Sequence, residues 1–320
     1  MSHFAFVFPG QGSQAVGMGR ALAESSAAAS AVYAEADDAL GEPISRLAWD
    51  GPAESLDRTE NAQPALLATS IAYLEALRER WAAAGVGAQP EFAAGHSMGQ
   101  YSALVGAGVV PLRDAIRLVR ERGIRMQASR KGRDGAMAAI IGLDDARLPE
   151  LVAEASTIGT FGVANRNAPG QVVVSGERAA IVAAAEIAKR LGARKAIVLP
   201  VSVAAHSPLM REAADGMREV LAGVKFADPQ PPLLANADAR PLTTGEACRN
   251  ELVDHLTAGV DWVAAVERMT AAGITTFVEV GPGRVLTGLI KRIAPDAESI
   301  PVDDASAPDR LAVPFLPTPA

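Results

Sequence analysis

The sequence predicts an α/β fold class, with a large parallel sheet and a smaller second sheet. The run Phe4 to Phe8 is wholly apolar and is followed by Pro9 and Gly10, as expected of a buried parallel strand. A second apolar run, Phe92 to Ala94, leads into a Gly-rich turn and a helical stretch. Strands that alternate with helices in this way are typical of an open sheet with helices packed on both faces.

The middle of the chain has a different order of elements. Between residues 136 and 198 we expect β-α-β-β-α-β, which is the split unit of a ferredoxin-like sheet. The sequence therefore predicts an α/β-hydrolase-like large domain with a small ferredoxin-like domain inserted into it. The predicted boundaries are 1–131 and 199–302 for the discontinuous large domain, 132–198 for the small domain, and 303–320 for a Pro- and Ala-rich tail that we expect to be poorly ordered.

Helices are predicted from Ala-rich or amphipathic stretches, and strands from apolar runs bounded by Gly, Pro or polar residues. The predicted helices cover residues 18–40, 63–84, 111–128, 145–156, 179–191, 207–220, 245–256, 262–272 and 285–292. The further predicted strands cover residues 137–141, 160–165, 172–175, 193–199 and 275–280. Pro64 and Pro111 are each expected at a helix start, where proline is tolerated.

Bulk composition limits the classes of function. The formal net charge is −7 without a basic run to offset it, which argues against nucleic acid as the main partner. Cys248 is the only cysteine, which excludes an intramolecular disulfide and a thiolate metal cluster. The sequence has no recognisable signal peptide and no apolar run of roughly 18 residues. We therefore expect a cytoplasmic protein that neither crosses a membrane nor holds a metal.

Gly95, Ser97 and Gly99 form a G-x-S-x-G motif between the second strand and a helix. In this setting the motif predicts a tight elbow that exposes the serine hydroxyl, because the glycines let both backbones pass closely. The helix start also supplies free N–H groups and a partial positive charge, which suit an oxyanion. The alternative is a Gly-rich turn with a capping serine.

Two other segments could meet this serine. The loop Pro9 to Gln14 has a glycine on each side of Gln11, whose backbone N–H and side-chain amide could contact a ligand. A plain turn with a solvated glutamine is the alternative. The loop Asn165 to Gly170 joins two strands of the small sheet and could reach a ligand between the domains.

The helix predicted over residues 111–128 carries five arginines. Most of them are expected to form a solvated face. One of them directed inward, beside a nucleophile, would form a clamp for a carboxylate. The five are Arg113, Arg117, Arg120, Arg122 and Arg125.

A nucleophilic serine needs a base, and the chain has four histidines. His3 precedes the first strand, and His96 is next to the serine in sequence, so its ring is expected to point away. His206 and His255 remain, and His206 ends an apolar strand, which is a common place for a catalytic side chain. No acidic residue between the serine and His206 is in a similar setting. A backbone carbonyl near His255 is a candidate for orienting the ring.

Six stretches, taken together and in this order, are characteristic. They are FPGQGSQ at Phe8 to Gln14, GHSMG at Gly95 to Gly99, RERGIRMQ at Arg120 to Gln127, NAPGQVVVSG at Asn167 to Gly176, VSVAAHSPLM at Val201 to Met210 and EVGPGRVLTGL at Glu279 to Leu289. In these stretches the chain resembles the malonyl-CoA:acyl carrier protein transacylase family. The resemblance implies a ping-pong transfer of malonyl from coenzyme A to the phosphopantetheine thiol of an acyl carrier protein. It also implies a seryl ester intermediate, a role in fatty acid synthesis, and no cofactor.

The resemblance further implies roles for single residues. Ser97 corresponds to the acylated serine and His206 to its general base. Arg122 corresponds to the arginine that binds the free carboxylate of the malonyl group. The backbone N–H groups of Gln11 and Met98 correspond to the oxyanion hole.

Other positions have weaker assignments. His255 corresponds to a residue whose main-chain carbonyl holds the catalytic imidazole, so its own ring need not matter. His96, Asn165 and Asn167 are possible contacts in the cleft. A basic patch is expected to meet an acidic carrier protein, with Arg284, Lys291, Arg292, Lys189 and Arg190 as candidates.

Two positions depart from the family pattern. Gln100 stands where most relatives have glutamate, which is expected to alter hydrogen bonds around the elbow but not the nucleophile. Ala205 is neither of the residues that polyketide relatives use to choose between malonyl and methylmalonyl, whereas Met98 favours malonyl. The alternatives are an acyltransferase of a polyketide or malonate decarboxylase system, a serine esterase or thioesterase of related fold, and a scaffold without activity.

Overall fold

The computed structural model describes residues 3–129, 134–201 and 203–312, and these form two sheets surrounded by helices. The strands are β1 Phe4–Phe8, β2 Phe92–Gly95, β3 Gly135–Ile141, β4 Phe161–Ala168, β5 Gln171–Glu177, β6 Lys195–Val198, β7 Leu233–Leu234, β8 Pro241–Leu242, β9 Val260–Asp261, β10 Thr276–Val280 and β11 Glu298–Val302. The helices are α1 Arg20–Ser25, α2 Ala27–Leu40, α3 Ile44–Asp50, α4 Ala53–Leu56, α5 Thr59–Ala84, α6 Gly99–Gly106, α7 Leu112–Ala128, α8 Leu148–Ala155, α9 Arg178–Arg190, α10 Arg211–Ala222, α11 Gly245–Ala258, α12 Trp262–Ala271, α13 Val285–Ile293 and α14 Ala307–Ala312.

The first sheet has the strand order β11-β10-β1-β2-β7-β8. Its first five strands run parallel, and β8 is antiparallel to β7. β1 lies in the middle and is buried on both faces, which explains its uninterrupted apolar sequence. The buried cluster on one side of the sheet includes residues of α2, α5 and α7, and the cluster on the other side includes residues of α12 and α13. The predicted α/β fold class with a parallel sheet is confirmed.

The second sheet has the order β6-β3-β5-β4-β9. β3 to β6 are antiparallel to one another, and α8 and α9 pack on them around a small core of their own. β9 comes from the later part of the chain and adds to β4 in parallel. This pairing ties the second sheet to the segment that carries α11 and α12. The predicted domain boundary at 131/132 falls on residues 130–133, which lie outside the described residues.

Several element bounds differ from the sequence prediction. The helix expected over 18–40 is two helices, because Ser26 is extended and its side chain accepts a hydrogen bond from the backbone N–H of Ala29. The helix expected to open at Pro64 begins at Thr59, with Pro64 inside it. The strand β11 and the two-residue strands β7, β8 and β9 were not predicted.

The tail prediction was wrong for residues 303–312. Helix α14 lies within this segment and packs against α5. Tyr73 donates a hydrogen bond to the carbonyl of Asp303, and Trp81 donates one to the carbonyl of Leu311. Leu311 is itself buried in the main core, so apolar burial and these two bonds hold a segment whose composition alone predicted disorder.

The elbow depends on a close approach between α6 and β1. A Cβ atom on Gly99 would stand 2.2 Å from the carbonyl oxygen of Phe8 and 2.8 Å from that of Pro9. Both oxygens belong to the backbone and cannot rotate away. The second glycine of the motif is therefore required by packing.

We expect Gly99→Ala to lower the free energy of unfolding by about 3 kcal/mol, because the added methyl overpacks the β1–α6 contact. Thermal unfolding followed by circular dichroism measures this. Gly288→Ala is the matched control, since Gly288 lies in α13 and its added Cβ would meet nothing within 4 Å. An unchanged melting temperature in Gly99→Ala would contradict the packing argument.

Candidate active site

Ser97 lies in the turn between β2 and α6, at the carboxyl end of the parallel sheet. Its backbone is in the left-handed region with φ of 54°, which is strained for a residue with a side chain. Asn236, in the loop between β7 and β8, holds this conformation from both sides. Its Oδ1 accepts from the N–H of Ser97 at 2.8 Å, and its Nδ2 donates to the carbonyl of Gly95 at 3.0 Å.

His206 is the partner of the serine. Its Nε2 lies 2.8 Å from Ser97 Oγ, and its Nδ1 lies 2.7 Å from the carbonyl oxygen of His255. A carbonyl only accepts, so Nδ1 carries the proton and the Nε2 lone pair faces the serine hydroxyl. The ring is thus oriented by a main-chain carbonyl of α11, as the resemblance implied for His255.

The electrostatic setting keeps this imidazole neutral. His206 is buried, and burial together with the nearby Arg122 cation lowers its pKa to about 3. The carbonyl of His255 opposes this shift but does not outweigh it. A neutral imidazole with a free Nε2 lone pair is the form that can take a proton from serine.

Arg122 is the inward-facing arginine of α7 and is 1% exposed. Its Nη1 donates to Gln63 Oε1 at 2.7 Å, and its Nη2 lies 3.2 Å from Ser97 Oγ and 3.3 Å from His255 Nε2. All three partners are neutral, and within the part of the chain that the structure describes no carboxylate pairs with this guanidinium. Its Nε has no hydrogen-bond partner there either. A buried cation without a counter-ion is the arrangement that an anionic ligand completes.

Of the two predicted oxyanion donors, Met98 directly follows Ser97 in sequence and Gln11 lines the same cleft as Ser97. Met98 is the residue immediately before α6, and Gln11 is in the loop after β1. Neither backbone N–H has an acceptor among residues 3–129, 134–201 and 203–312. The N–H of Ser97 itself is occupied by Asn236, which leaves the other two free for a ligand.

Ser97, His206 and Arg122 open into one cleft between the two sheets, with a volume of about 810 Å³. The three predicted cleft contacts His96, Asn165 and Asn167 all line it. His96 Nε2 lies 2.8 Å from Asn167 Oδ1, and its ring packs against Trp262. The His96 ring therefore points away from Ser97 Oγ, as expected, but still faces the cleft.

The ring of His255, which was expected not to matter, lies against Arg122. The ring is completely buried, and its Nε2 faces Arg122 Nη2. One turn earlier on α11, Glu251 is also completely buried, with Oε1 accepting the N–H of Asn236 at 2.6 Å. Burial raises the pKa of Glu251 to about 7. The side chains of His255 and Glu251 thus belong to the site's surroundings.

Sequence reasoning missed Asn236, Gln63 and Glu251. Asn236 follows a strand of only two residues, which gives no recognisable pattern. Gln63 and Glu251 lie inside helices, where a polar residue normally indicates the solvated face. The one available signal was Gln63 beside Pro64 in an otherwise apolar stretch of α5.

Gln100 does not contact the nucleophile. Its Oε1 accepts from the N–H of Gly95 at 3.1 Å, and its Nε2 donates to the carbonyl of Leu234 at 2.9 Å. It therefore joins the end of β2 to β7. A carboxylate at this position could accept the first bond but could not donate the second.

Among the described residues, no cluster of three or more His, Cys, Asp or Glu side chains could hold a metal ion. No helix in the same ranges is long and apolar enough to span a bilayer.

Comparison with known proteins shows which family the chain resembles. A model of the acyl transferase domain family matches residues 5–306. The malonyl CoA-acyl carrier protein transacylase of Escherichia coli K12 is 45% identical over 307 residues, which cover 96% of this chain and 98% of that protein. An acyl carrier protein S-malonyltransferase from Vibrio cholerae, solved by crystallography, is 44% identical with a TM-score of 0.92 and covers 97% of this chain and 100% of that one.

A further solved structure holds a malonyl-transacylase in complex with a type II PKS acyl-carrier protein. It is 42% identical, has a TM-score of 0.92, and covers 98% of this chain and 100% of that one. These matches extend over nearly the whole chain and include every element that builds the serine, histidine and arginine site. The chain belongs to the acyl transferase family, and within it to the malonyl CoA-acyl carrier protein transacylases.

Proposed function

We propose that this protein transfers malonyl from coenzyme A to the phosphopantetheine thiol of an acyl carrier protein, through an ester on Ser97. The names of the relatives support the reaction. The observation that carries the choice of acyl group is Arg122, a buried cation whose Nη2 lies 3.2 Å from Ser97 Oγ and whose partners are all neutral. A carboxylate on the acyl group would supply the missing charge, and an acyl group without one would leave the guanidinium uncompensated.

The geometry supports a two-step reaction. Ser97 Oγ gives its proton to His206 Nε2 and attacks the thioester carbonyl carbon. The C–S bond breaks, and the coenzyme A sulfur leaves with the proton that His206 returns. The carrier thiol then gives its proton to His206 and attacks the ester carbonyl. The bond to Ser97 Oγ breaks, and the hydroxyl regains the proton.

The remaining groups act on charge and orientation. We assign to the free N–H groups of Gln11 and Met98 the role of donating hydrogen bonds to the carbonyl oxygen as it gains negative charge. The carbonyl of His255 fixes the tautomer of His206 and stabilises the imidazolium in both steps. No step is a redox step, so the proposal needs malonyl-CoA as substrate and neither a metal nor a redox cofactor.

The pathway is a separate part of the proposal. We favour fatty acid synthesis in the cytoplasm, and a polyketide or malonate decarboxylase carrier is the alternative. Four of the five basic candidates for carrier docking have partners in this structure. Arg284 pairs with Asp303, Arg190 with Glu154 and Lys189 with Glu186, and Arg292 donates to Gln171 and to the carbonyl of Pro169. Of the five we therefore retain Lys291 as the first to test.

The low pKa of His206 gives a pH prediction. A histidine whose pKa is depressed to about 3 stays neutral throughout the range from pH 8 to 5, so its Nε2 remains able to accept the serine proton. We expect kcat/KM for acylation of Ser97 by malonyl-CoA to stay level across that range. Stopped-flow measurement of coenzyme A release at each pH tests this. A fall through pH 6.5, the ordinary pKa of histidine, would contradict it.

The acceptor distinguishes a transacylase from an esterase of related fold. The protein is incubated with malonyl-CoA and holo-carrier protein, apo-carrier protein or buffer alone, and the products are separated by chromatography. We expect malonyl on the holo-carrier only, with slow release of free malonate in buffer. Release of malonate as fast as transfer would establish a hydrolase instead. Comparing kcat/KM for a fatty acid carrier and a polyketide carrier then decides the pathway.

A further inference from the structure

The carboxylate-binding arginine is held by a histidine ring rather than by an acid. Arg122 can only donate, so the His255 Nε2 that lies 3.3 Å from Nη2 must present its lone pair. His255 is completely buried, and burial, Arg122 and His206 all lower its pKa, so the ring is neutral. A neutral ring with a lone pair on Nε2 carries its proton on Nδ1.

The Nδ1 side of this ring faces Glu251. The two residues are one turn apart on α11, and Glu251 Oε1 lies 3.7 Å from His255 Nδ1. That distance is too long for a hydrogen bond but short enough for an ionised Glu251 to polarise the ring. With its pKa raised to about 7, Glu251 is ionised in only part of the molecules near neutral pH. Within the described parts of the chain, Glu251 Oε2 has no hydrogen-bond partner. The backbone of Glu251 also acts on the His255 ring, because an interaction with it opposes the lowering of the pKa of His255.

Glu251 is in turn fixed from a second element. Its Oε1 accepts the backbone N–H of Asn236, the residue whose side chain holds the Ser97 elbow. Arg240 approaches Glu251 Oε2 only to 3.9 Å. The carboxyl group of Glu251 is therefore anchored to the same loop that sets the position of the nucleophile.

We propose that the ring of His255 is a positioning residue for Arg122, that Glu251 fixes the tautomer of this ring, and that the pair sets the preference for a carboxylate-bearing acyl group. The inference rests on the proposed function and adds a specificity determinant to it. His255 then acts twice, because its main-chain carbonyl orients the catalytic base and its side chain orients the arginine.

A neutral ring has an advantage over an acid as the partner of Arg122, because it leaves the charge of the guanidinium available to the substrate. An acid placed directly on Arg122 would neutralise the guanidinium and occupy donors that the substrate carboxylate needs. Gln63 and His255 instead restrain it with neutral acceptors, which fixes its direction and leaves its charge uncompensated. A carboxylate behind a histidine strengthens the ring as an acceptor, as it does for histidines that bind metal cations.

The side chain can be tested apart from the carbonyl. His255→Leu keeps the main-chain carbonyl that holds His206 but removes the acceptor for Arg122. We expect it to raise KM for malonyl-CoA by about 10-fold, with a much smaller loss in acylation by acetyl-CoA. His255→Gln, whose side-chain oxygen can accept from Arg122, should restore most of the malonyl preference.

Glu251→Gln tests the second residue of the pair. It keeps an oxygen for the N–H of Asn236 and removes the charge, and we expect a smaller loss of malonyl preference than in His255→Leu. Glu246→Gln, an exposed change of the same kind on the same helix, is the control and should behave as wild type. Circular dichroism and thermal unfolding confirm that each variant is folded.

Nitrogen NMR of the wild-type histidines gives a readout that does not depend on any variant. We expect His255 to be neutral with its proton on Nδ1. A proton on Nε2, or equal losses for malonyl and acetyl in His255→Leu, would overturn the inference. If wild type itself takes no malonyl from malonyl-CoA, the proposed function has failed. If it is malonylated and His255→Leu keeps the full malonyl preference, only this inference has failed.

Discussion

Ser97→Ala is expected to take up no malonyl and to lower transfer to the carrier by at least about 10⁴-fold, as loss of a serine nucleophile does elsewhere. The hydroxyl lies 2.8 Å from His206 Nε2, and the elbow backbone at φ 54°, which Asn236 holds, presents it there. Alanine keeps the backbone and the helix start, so the free N–H groups remain but have no ester to stabilise.

Ser102→Ala is the matched control for this substitution. Ser102 is a buried serine on α6 whose hydroxyl has no partner among the described residues. We expect it to keep full activity and, because it removes an unsatisfied buried polar group, not to lose stability. Intact mass and a coupled transfer assay measure both variants. Substantial malonylation of Ser97→Ala would assign the nucleophile to another residue.

Arg122→Ala is expected to lower kcat/KM for malonyl-CoA by about 10³-fold, because truncating one partner of a buried charge pair costs roughly 2–5 kcal/mol. Acetyl-CoA carries no carboxylate, so its rate should fall much less, and the preference of the enzyme should shift toward acetyl. Arg122→Lys keeps a positive charge but loses the planar guanidinium, so its kcat/KM for malonyl-CoA should lie between those of wild type and Arg122→Ala. Steady-state kinetics with both thioesters measures the ratio.

Arg113→Ala is the control for the arginine. It is a partly exposed residue of the same helix, and its partner Asp38 is a surface residue. A surface ion pair of this kind contributes little to stability, so the kinetics of Arg113→Ala should match those of wild type. Equal losses for malonyl and acetyl in Arg122→Ala would mean that the guanidinium supports the serine rather than the acyl carboxylate.

The parts of the site that follow from local sequence were predictable. The elbow is specified by the two glycines around Ser97, because close backbone contact at Gly99 admits no side chain. His206 was indicated as the end of a predicted apolar strand, but the structure shows no strand in the described residues 199–201 and 203–206 and places His206 in a turn with φ of 59°. A helix with five arginines indicated that one of them could face inward, and the family resemblance, rather than the residue pattern, assigned that role to Arg122.

The parts of the site that the sequence did not predict depend on contacts between segments far apart in the chain. Asn236 contacts Ser97 although 139 positions separate them in sequence. Glu251 contacts Asn236 from α11, where the sequence pattern predicts that a polar side chain faces solvent. The pairing of β9 with β4 involves two residues of each strand. Neither a two-residue strand nor a buried carboxyl group leaves a periodic signal. The ring of His255 was set aside because the resemblance assigns a role only to its main-chain carbonyl.

The central claim is a malonyl ester on Ser97, and one measurement tests it most directly. Wild-type protein is mixed with malonyl-CoA, quenched in acid and analysed by intact mass and peptide mapping. We predict one malonyl group per chain, located on Ser97 and removed when holo-carrier protein is added before the quench. An unmodified protein with no release of free malonate, or a malonyl group on any other residue, would contradict the account.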